Sequence, residues 1–269
     1  MAPSSSPVAA PAALAAPCYV FSDAHIGVAS KDVELRVLQF LESLANSEVG
    51  SLVVNGDLVD FWFEWRHVVP RSGYRVVAAL SSLARAGVPV VWIGGNHDCW
   101  GADVVREAGI HFVDGAWRGE IAGWKAHVAH GDGLRGAEDR GYRALRKVLR
   151  HKWAIRAFRF LHPDWGIAVA RGSAHASRTY RAPDEGVGLR EVAFRLLGHD
   201  RNLDLVIFGH SHVPELTAGP VHGVYANAGE WIDDPSYLRI DAERIDLMRW
   251  SVAGSHSMRE FTRRAKVRT

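Results

Sequence analysis

The chain has 269 residues, of which 48% are hydrophobic and 23% charged, and its formal net charge is +2. Such values suit a soluble globular protein with one large core and exclude a disordered, fibrous or polycationic chain. Any attraction to nucleic acid or anionic lipid has to come from local clustering of charge.

Residues 1–17 begin Met-Ala-Pro-Ser-Ser-Ser-Pro and continue rich in Ala and Pro, which predicts a disordered tail without the basic start and long apolar run of a secretory signal. No stretch approaches the roughly 20 apolar residues that span a bilayer. Cys18 and Cys99 lack any paired spacing, so no disulfide framework is expected. The expected location is cytoplasmic, at most peripheral to the inner membrane. From residue 18 onward a single domain is expected, with a helical insertion at about 136–182.

A short apolar strand over 18–21 ends in Ser22-Asp23-Ala24-His25-Ile26-Gly27. Two apart on an extended segment, Asp23 and His25 would project to the same side. Residues 31–44 carry apolar side chains at helical spacing, with Ser30 placed as a cap. The apolar run Leu52-Val53-Val54 then stops at Gly56-Asp57, as a buried strand does when it delivers one carboxylate into a cleft. After the aromatic loop 61–65 comes a helix over 74–86, closed by Gly87, and a strand over 89–93 that ends in Gly94-Gly95-Asn96-His97-Asp98.

This β-α-β-α-β rhythm predicts parallel strands whose carboxyl ends share one edge of a sheet, where open α/β folds hold their ligands. A short helix over 103–108 precedes strands over 110–113, 116–121 and 124–129, with Gly123 at a hairpin turn and His130-Gly131-Asp132 at the end. Residues 136–182 break the rhythm. Within them, 140–160 hold eight Lys or Arg and no Asp or Glu. Tyr142, Leu145, Leu149 and Trp153 are spaced as one apolar face with Arg143, Arg146, Lys147 and Arg150 around it. That pattern reads either as a solvated helix or as a contact surface for an anionic or lipidic partner.

A helix over 189–197 leads to a strand over 203–208 that ends in Gly209-His210-Ser211-His212. Strands over 223–226, 237–241 and 246–251 follow, and the arginine-rich end from Arg259 is expected to fray. Two β-rich halves can pack as a sandwich with helices outside.

Five strand ends thus finish in Asp, Asn or His. Carboxylate, imidazole and amide oxygen without thiolate suit Mn²⁺, Fe²⁺ or Zn²⁺ and not a structural zinc finger. Seven such ligands exceed the needs of one small cation and fit a pair sharing a carboxylate, which can clamp a phosphoryl group and activate a water.

In this order the five pieces resemble the motifs of the calcineurin-like metallophosphoesterases, from Asp23 to His212. The resemblance implies an α/β fold, a β-sandwich flanked by helices (αββα) with a helical lid, and two divalent metal ions, Mn²⁺ foremost. It implies Asp23, His25 and His212 on one ion, Asn96, His130 and His210 on the other, and Asp57 between them. His97 would face the phosphate, with Asp98 supporting it.

Within that family, Gly56-Asp57-Leu58-Val59-Asp60-Phe61-Trp62, His130-Gly131-Asp132 followed by Glu138-Asp139-Arg140-Gly141-Tyr142, and Asn227-Ala228-Gly229-Glu230-Trp231 resemble the UDP-2,3-diacylglucosamine pyrophosphohydrolases of lipid A synthesis. Those enzymes release UMP and a lipid monophosphate. The resemblance implies a nucleotide-linked lipid as partner, substrate contacts at Asp139 and Tyr142, and an insertion that receives acyl chains at a membrane surface. Asn96-His97-Asp98 departs from their Asn-Arg-Asp and matches the wider family. A general phosphatase or phosphodiesterase acting on a small soluble substrate is the alternative, and no nucleic acid is expected as partner. A nuclease would show strongly salt-dependent binding to DNA or RNA, and a non-catalytic module would be expected to lack some of these ligands.

Overall fold

In the computed structural model, residues 9–101, 103–136, 139–178 and 186–263 are described, with the backbone alone for 171–178. The first element is β1 (Ala13–Leu14), which pairs in parallel with Glu120 and Ile121. This corrects the expectation of a disordered tail across 1–17, of which 1–8 lie outside the described residues. Leu14 is buried in the inter-sheet core, and Ser51 Oγ donates to the Ala15 carbonyl at 2.7 Å. One apolar side chain with a place in the core is enough to lay the segment down.

The order continues as β2 (Cys18–Phe21), α1 (Lys31–Ala45), β3 (Ser51–Asn55), α2 (Tyr74–Arg85), β4 (Val90–Ile93), α3 (Asp103–Glu107), β5 (His111–Val113), β6 (Ala116–Ile121) and β7 (Trp124–Ala129). Then come α4 (Arg140–Leu149), α5 (Lys152–Phe158), α6 (Pro163–Arg178) and α7 (Val187–His199). The last strands are β8 (Leu205–Phe208), β9 (Glu215–Ala218), β10 (Val224–Asn227), β11 (Ser236–Ile240), β12 (Arg244–Arg249) and β13 (His256–Thr262). Ser30 precedes α1 as expected but makes no side-chain cap bond. The end expected to fray from Arg259 is instead strand up to Thr262, because β13 pairs antiparallel along β12.

Two sheets form, one in the order β13-β12-β11-β2-β3-β4-β5 and one in the order β1-β6-β7-β8-β10-β9. Between them lies a core that includes Val20, Val53 and Val91 from one sheet and Val128, Leu205 and Ile207 from the other. The outer face of the first sheet is covered by α1 and α2 through Phe40, Leu41, Val76 and Leu80. The second is covered by α7 through Leu189, Ala193 and Leu197. The arrangement is the expected helix-sheet-sheet-helix stack. Strands buried on both faces explain why β2, β3, β4 and β8 read as unbroken apolar runs.

The insertion departs from its expected amphipathic design. The helix ends at Leu149 and α5 begins at Lys152, and Leu145, Val148 and Leu149 face solvent. Three arginines turn toward the protein instead. Arg143 donates to the carbonyls of Gly133, Arg135 and Gly136, Arg146 to that of Asp132, and Arg150 bonds Asp114. The 131–136 loop presents bare carbonyls to α4, and guanidinium donors satisfy them where leucines could not.

One polar pair in the second sheet sets a pH dependence of stability. On β7, His127 is buried and its Nδ1 accepts a hydrogen bond from Arg118 Nε at 3.0 Å. Burial and the guanidinium hold its pKa down from 6.5 to about 4. The unfolded chain therefore takes up this proton first, so the stabilisation is complete above pH 6.5 and is lost as pH falls toward 4. Chemical denaturation at pH 7 and pH 4 is expected to show His127→Gln losing about 3 kcal/mol less than the parent over that interval. Parallel losses in the two proteins would refute the assignment.

Candidate metal centre

Parallel pairing of β2 with β3 and β3 with β4, and of β7 with β8, sends all five ligand-bearing loops out at the same edge of the sandwich. The backbone there is strained. Among the described residues six non-glycines have positive φ, and five are Asp23 (56°), His25 (45°), Asp57 (51°), His210 (65°) and His212 (60°). Such conformations cost about 1 kcal/mol or more each and persist where surrounding bonds impose them. Here the Asp23 N–H donates to the Gly56 carbonyl at 3.1 Å and the His25 N–H to that of Asp57 at 3.0 Å. Asp23 and His25 thus do not sit on an extended segment as expected. They share a side because left-handed turns aim both inward.

Two glycines admit this crowding. A Cβ at Gly56, where φ is +84°, would lie 2.4 Å from His130 Nδ1, and one at Gly95 would lie 2.2 Å from Asp57 Oδ1. Neither position has room for a side chain.

The structure brings together all seven expected ligands. Asp57 stands at the centre, with Oδ1 accepting the His97 N–H at 2.9 Å. Its Oδ2 lies 3.2 Å from His130 Nε2 and 3.9 Å from both His25 Nε2 and His97 Nε2. On one side Asp23, His25 and His212 present ligand atoms within 4.8 Å of one another, and on the other Asp57, His130 and His210 do the same. Asn96 Oδ1 joins the second group, 3.2 Å from His130 Nε2.

The donor chemistry fits divalent cations. His130 Nδ1 lies 3.0 Å from the Asn55 carbonyl and His212 Nδ1 lies 3.2 Å from Glu230 Oε2, contacts that place the proton on Nδ1 and turn the Nε2 lone pair into the site. Those lone pairs then face carboxylate and amide oxygens, with His25 and His212 Nε2 only 3.2 Å apart. Acceptors converging on acceptors call for positive charge between them. Asp23 Oδ1 and His25 Nδ1 are buried without a hydrogen bond, as groups awaiting a cation are.

The carboxylates in the site also favour positive charge on the imidazoles they face. Burial opposes it, yet Asp57 and Asp23 hold His130 well above the usual range, and Asp23 and Glu230 hold His212 up at about 10. Burial works against Asp57 as well, but His130 and His97 keep its carboxyl well below 3.8. At His25 burial is the largest cause, and with His97 and His212 beside it the pKa is held down to about 4.

His97 lies against this centre, but its support differs from the expectation. Its Nδ1 meets the Asp60 carbonyl at 3.0 Å and Asp60 Oδ1 at 3.6 Å. Asp98, expected as that support, uses Oδ2 to accept from Leu58 N at 2.8 Å and Trp92 Nε1 at 3.2 Å, and Oδ1 from Gly95 N at 2.7 Å. It knits the loops after β3 and β4 together, because three buried donors there leave no oxygen for the imidazole.

The expected substrate contacts are engaged within the protein. Tyr142 Oη donates to Asp132 Oδ2 at 2.7 Å, and Asp139 pairs with Arg135 at 3.1 Å. Glu138 lies outside the described residues. Beside the site Phe61, Phe63 and Trp65 pack with Trp100, Phe158 and Ile167, forming an apolar floor under α5 and α6. Sequence reading assigned no separate role to Glu230, Asn55 or Asp60. Glu230 sits in a stretch quoted for its resemblance alone, and Asn55 acts through a carbonyl that carries no side-chain signal.

The family profile described as Calcineurin-like phosphoesterase matches residues 16–214. The chain is 28% identical over 251 residues to "UDP-2,3-diacylglucosamine hydrolase" of Porphyromonas gingivalis (strain ATCC BAA-308 / W83), covering 85% of this chain and 95% of that protein. The protein of that name from Neisseria meningitidis serogroup B (strain ATCC BAA-335 / MC58) is 27% identical over 237 residues, covering 84% and 95%. The structure of Vacuolar Protein Sorting 29 from Cryptosporidium parvum superposes with a TM-score of 0.50 at 12% identity, covering 93% of this chain and 100% of that one. At that identity the likeness is one of fold alone.

Proposed function

The chain belongs to the calcineurin-like phosphoesterase family and is a hydrolase of that family, and we propose that it cleaves UDP-2,3-diacylglucosamine to UMP and 2,3-diacylglucosamine 1-phosphate. The observation that carries this reading is the position of Asp57 Oδ2, within 3.2 Å of His130 and 3.9 Å of His25 and His97. The names of the two relatives support the choice of substrate.

In this reading Asp23, His25 and His212 would hold one divalent ion and Asn96, His130 and His210 the other, with Asp57 contributing its carboxylate to both groups. We assign Mn²⁺, with Fe²⁺ and Zn²⁺ as the other candidates. Bound, the ions would neutralise phosphoryl oxygens and supply an activated water as nucleophile. His97 faces the same space through Nε2 while the Asp60 carbonyl holds Nδ1–H. Protonated, it donates from Nε2 to the leaving phosphate oxygen as the anhydride bond breaks. The aromatic floor of Phe61, Phe63 and Trp65 supplies apolar surface for acyl chains beneath the insertion, which serves as the lid of a single domain. Asp139 and Tyr142 then act by shaping the loop after β7, since both are bonded inside the protein.

A second reading, a general phosphoesterase with a small soluble substrate, is favoured by His97 in the Asn96-His97-Asp98 run. Turnover with Mn²⁺ of UDP-2,3-diacylglucosamine, an acyl-free UDP-sugar and an aryl phosphodiester separates the two. The proposed function predicts a preference of about a hundredfold or more in kcat/KM for the acylated substrate, because remote binding energy is used at the transition state. Equal or better turnover of the simple esters would establish the second reading instead.

A further inference from the structure

The ligand-bearing edge of the sandwich carries a cavity that none of the seven metal-centre residues lines. It holds about 620 Å³, and its wall begins with Ile26 and Gly27, the two residues that follow His25. The wall continues with Lys31 and Glu34 in the first turn of α1 and with Arg71, Tyr74 and Arg75, where the loop after β3 enters α2. Both helices follow parallel strands, so they open at the edge to which those strands deliver their ligands.

The chemistry of this wall is that of a nucleotide site. Arg75 Nη1 stands 3.9 Å from Glu34 Oε2, so these two charges balance. Lys31 and Arg71 are exposed, and among the described residues neither is paired with a carboxylate. Tyr74 is 56% exposed and lines the same cavity. An aromatic face for a base to stack on, two uncommitted cations for a phosphate and a volume of this size suit a nucleoside monophosphate. A bare inorganic anion would leave the ring of Tyr74 unused, and a polynucleotide would need a basic groove that tracks its backbone beyond one cavity.

Position decides which nucleotide this is. In the sheet order β2-β3-β4, the loop that carries Asp57 leaves from the middle strand. The cavity residues 26–34 follow β2, and the Asp60 N–H ties the middle loop to them by donating to the Ile26 carbonyl at 3.0 Å. The aromatic floor lies on the other flank, where Phe63 bridges to Trp100 in the loop after β4. A diphosphate centred on Asp57 with its lipid end on that floor turns its nucleoside end toward the cavity.

We propose that the cavity between the starts of α1 and α2 is the nucleoside subsite, where the ring of Tyr74 stacks on the uracil and Lys31 and Arg71 neutralise the nucleotide's phosphate. The choice of uracil rests on the substrate reading above.

Calorimetric titration of the whole metal-loaded protein with UMP, ribose 5-phosphate and inorganic phosphate tests it. All three ligands offer the metal ions a phosphate, so differences among them report what the rest of the molecule meets. UMP is expected to bind about tenfold or more tighter than ribose 5-phosphate. Tyr74→Ala should erase that margin and leave the affinity for ribose 5-phosphate unchanged. Lys31→Ala with Arg71→Ala should weaken both ligands by a similar factor, about tenfold. All three side chains are exposed, so these variants should keep the parental melting temperature. Equal affinity of the parent for UMP and ribose 5-phosphate, a margin that persists in Tyr74→Ala, or affinities unaltered in the Lys31/Arg71 variant would overturn the proposal. Inorganic phosphate bound as tightly as UMP would overturn it too, by showing an anion site only. A Tyr74-dependent margin in a protein that does not turn over UDP-2,3-diacylglucosamine would sink the substrate reading and leave the subsite standing, and turnover without that margin would do the reverse.

Discussion

Asp57→Asn is expected to lower turnover on the order of a thousandfold or more and to leave the purified protein short of metal by elemental analysis. An asparagine preserves the volume and can still accept the His97 N–H that Oδ1 accepts at 2.9 Å. What it removes is the negative charge 3.2 Å from His130 and 3.9 Å from His25. That charge lies beside a residue of each ligand group, so in the proposed reading its loss should weaken both cation sites together. By contrast, His210→Asn should weaken the second site and spare the first. A variant at Asp57 that keeps full metal content and a tenth of the parental rate would remove Asp57 from the shared position.

The second large effect is expected at His97, and it separates chemistry from metal binding. His97→Gln should reduce kcat by a factor of about 10² to 10⁴ with metal content unchanged. Asp60→Asn keeps the backbone carbonyl that holds Nδ1 at 3.0 Å and loses only the carboxylate at 3.6 Å, so it should fall between the parent and His97→Gln. Asp98→Ala should behave differently. It strips the acceptor from Leu58 N, Gly95 N and Trp92 Nε1, so the expected loss is about 3 kcal/mol of stability, read by denaturation. If Asp60→Asn were silent and Asp98→Asn reproduced the loss of kcat seen in His97→Gln with stability intact, the assignment of support to Asp60 would be wrong.

Both predictions turn on distinctions that the linear chain conveys unequally. Asp60 and Asp98 are each a short step along the chain from a motif residue, one in Gly56-Asp57-Leu58-Val59-Asp60 and one beside His97 itself. The family resemblance favoured Asp98. In the fold, Asp98 turns back to the strand ends it follows, while the loop from β3 carries Asp60 across to the imidazole.

From sequence alone, the strand-helix alternation and the five strand ends were legible, because burial on both faces imposes apolar runs and each run stops where a polar ligand leaves the sheet. The choice of Asp, Asn and His with no cysteine was enough to point to a divalent metal centre, since ligand type is a property of the side chain. Only the tertiary structure decided how those side chains are aimed. Left-handed turns stand at Asp23, His25, Asp57, His210 and His212, which no local propensity favours, and those at Asp23 and His25 carry amide bonds to the Gly56 and Asp57 carbonyls across the loops. It also decided which way α4 faces. Periodicity locates an apolar stripe, but whether the stripe or the arginines turn inward depends on what the neighbouring loop offers, and here the loop offers carbonyls.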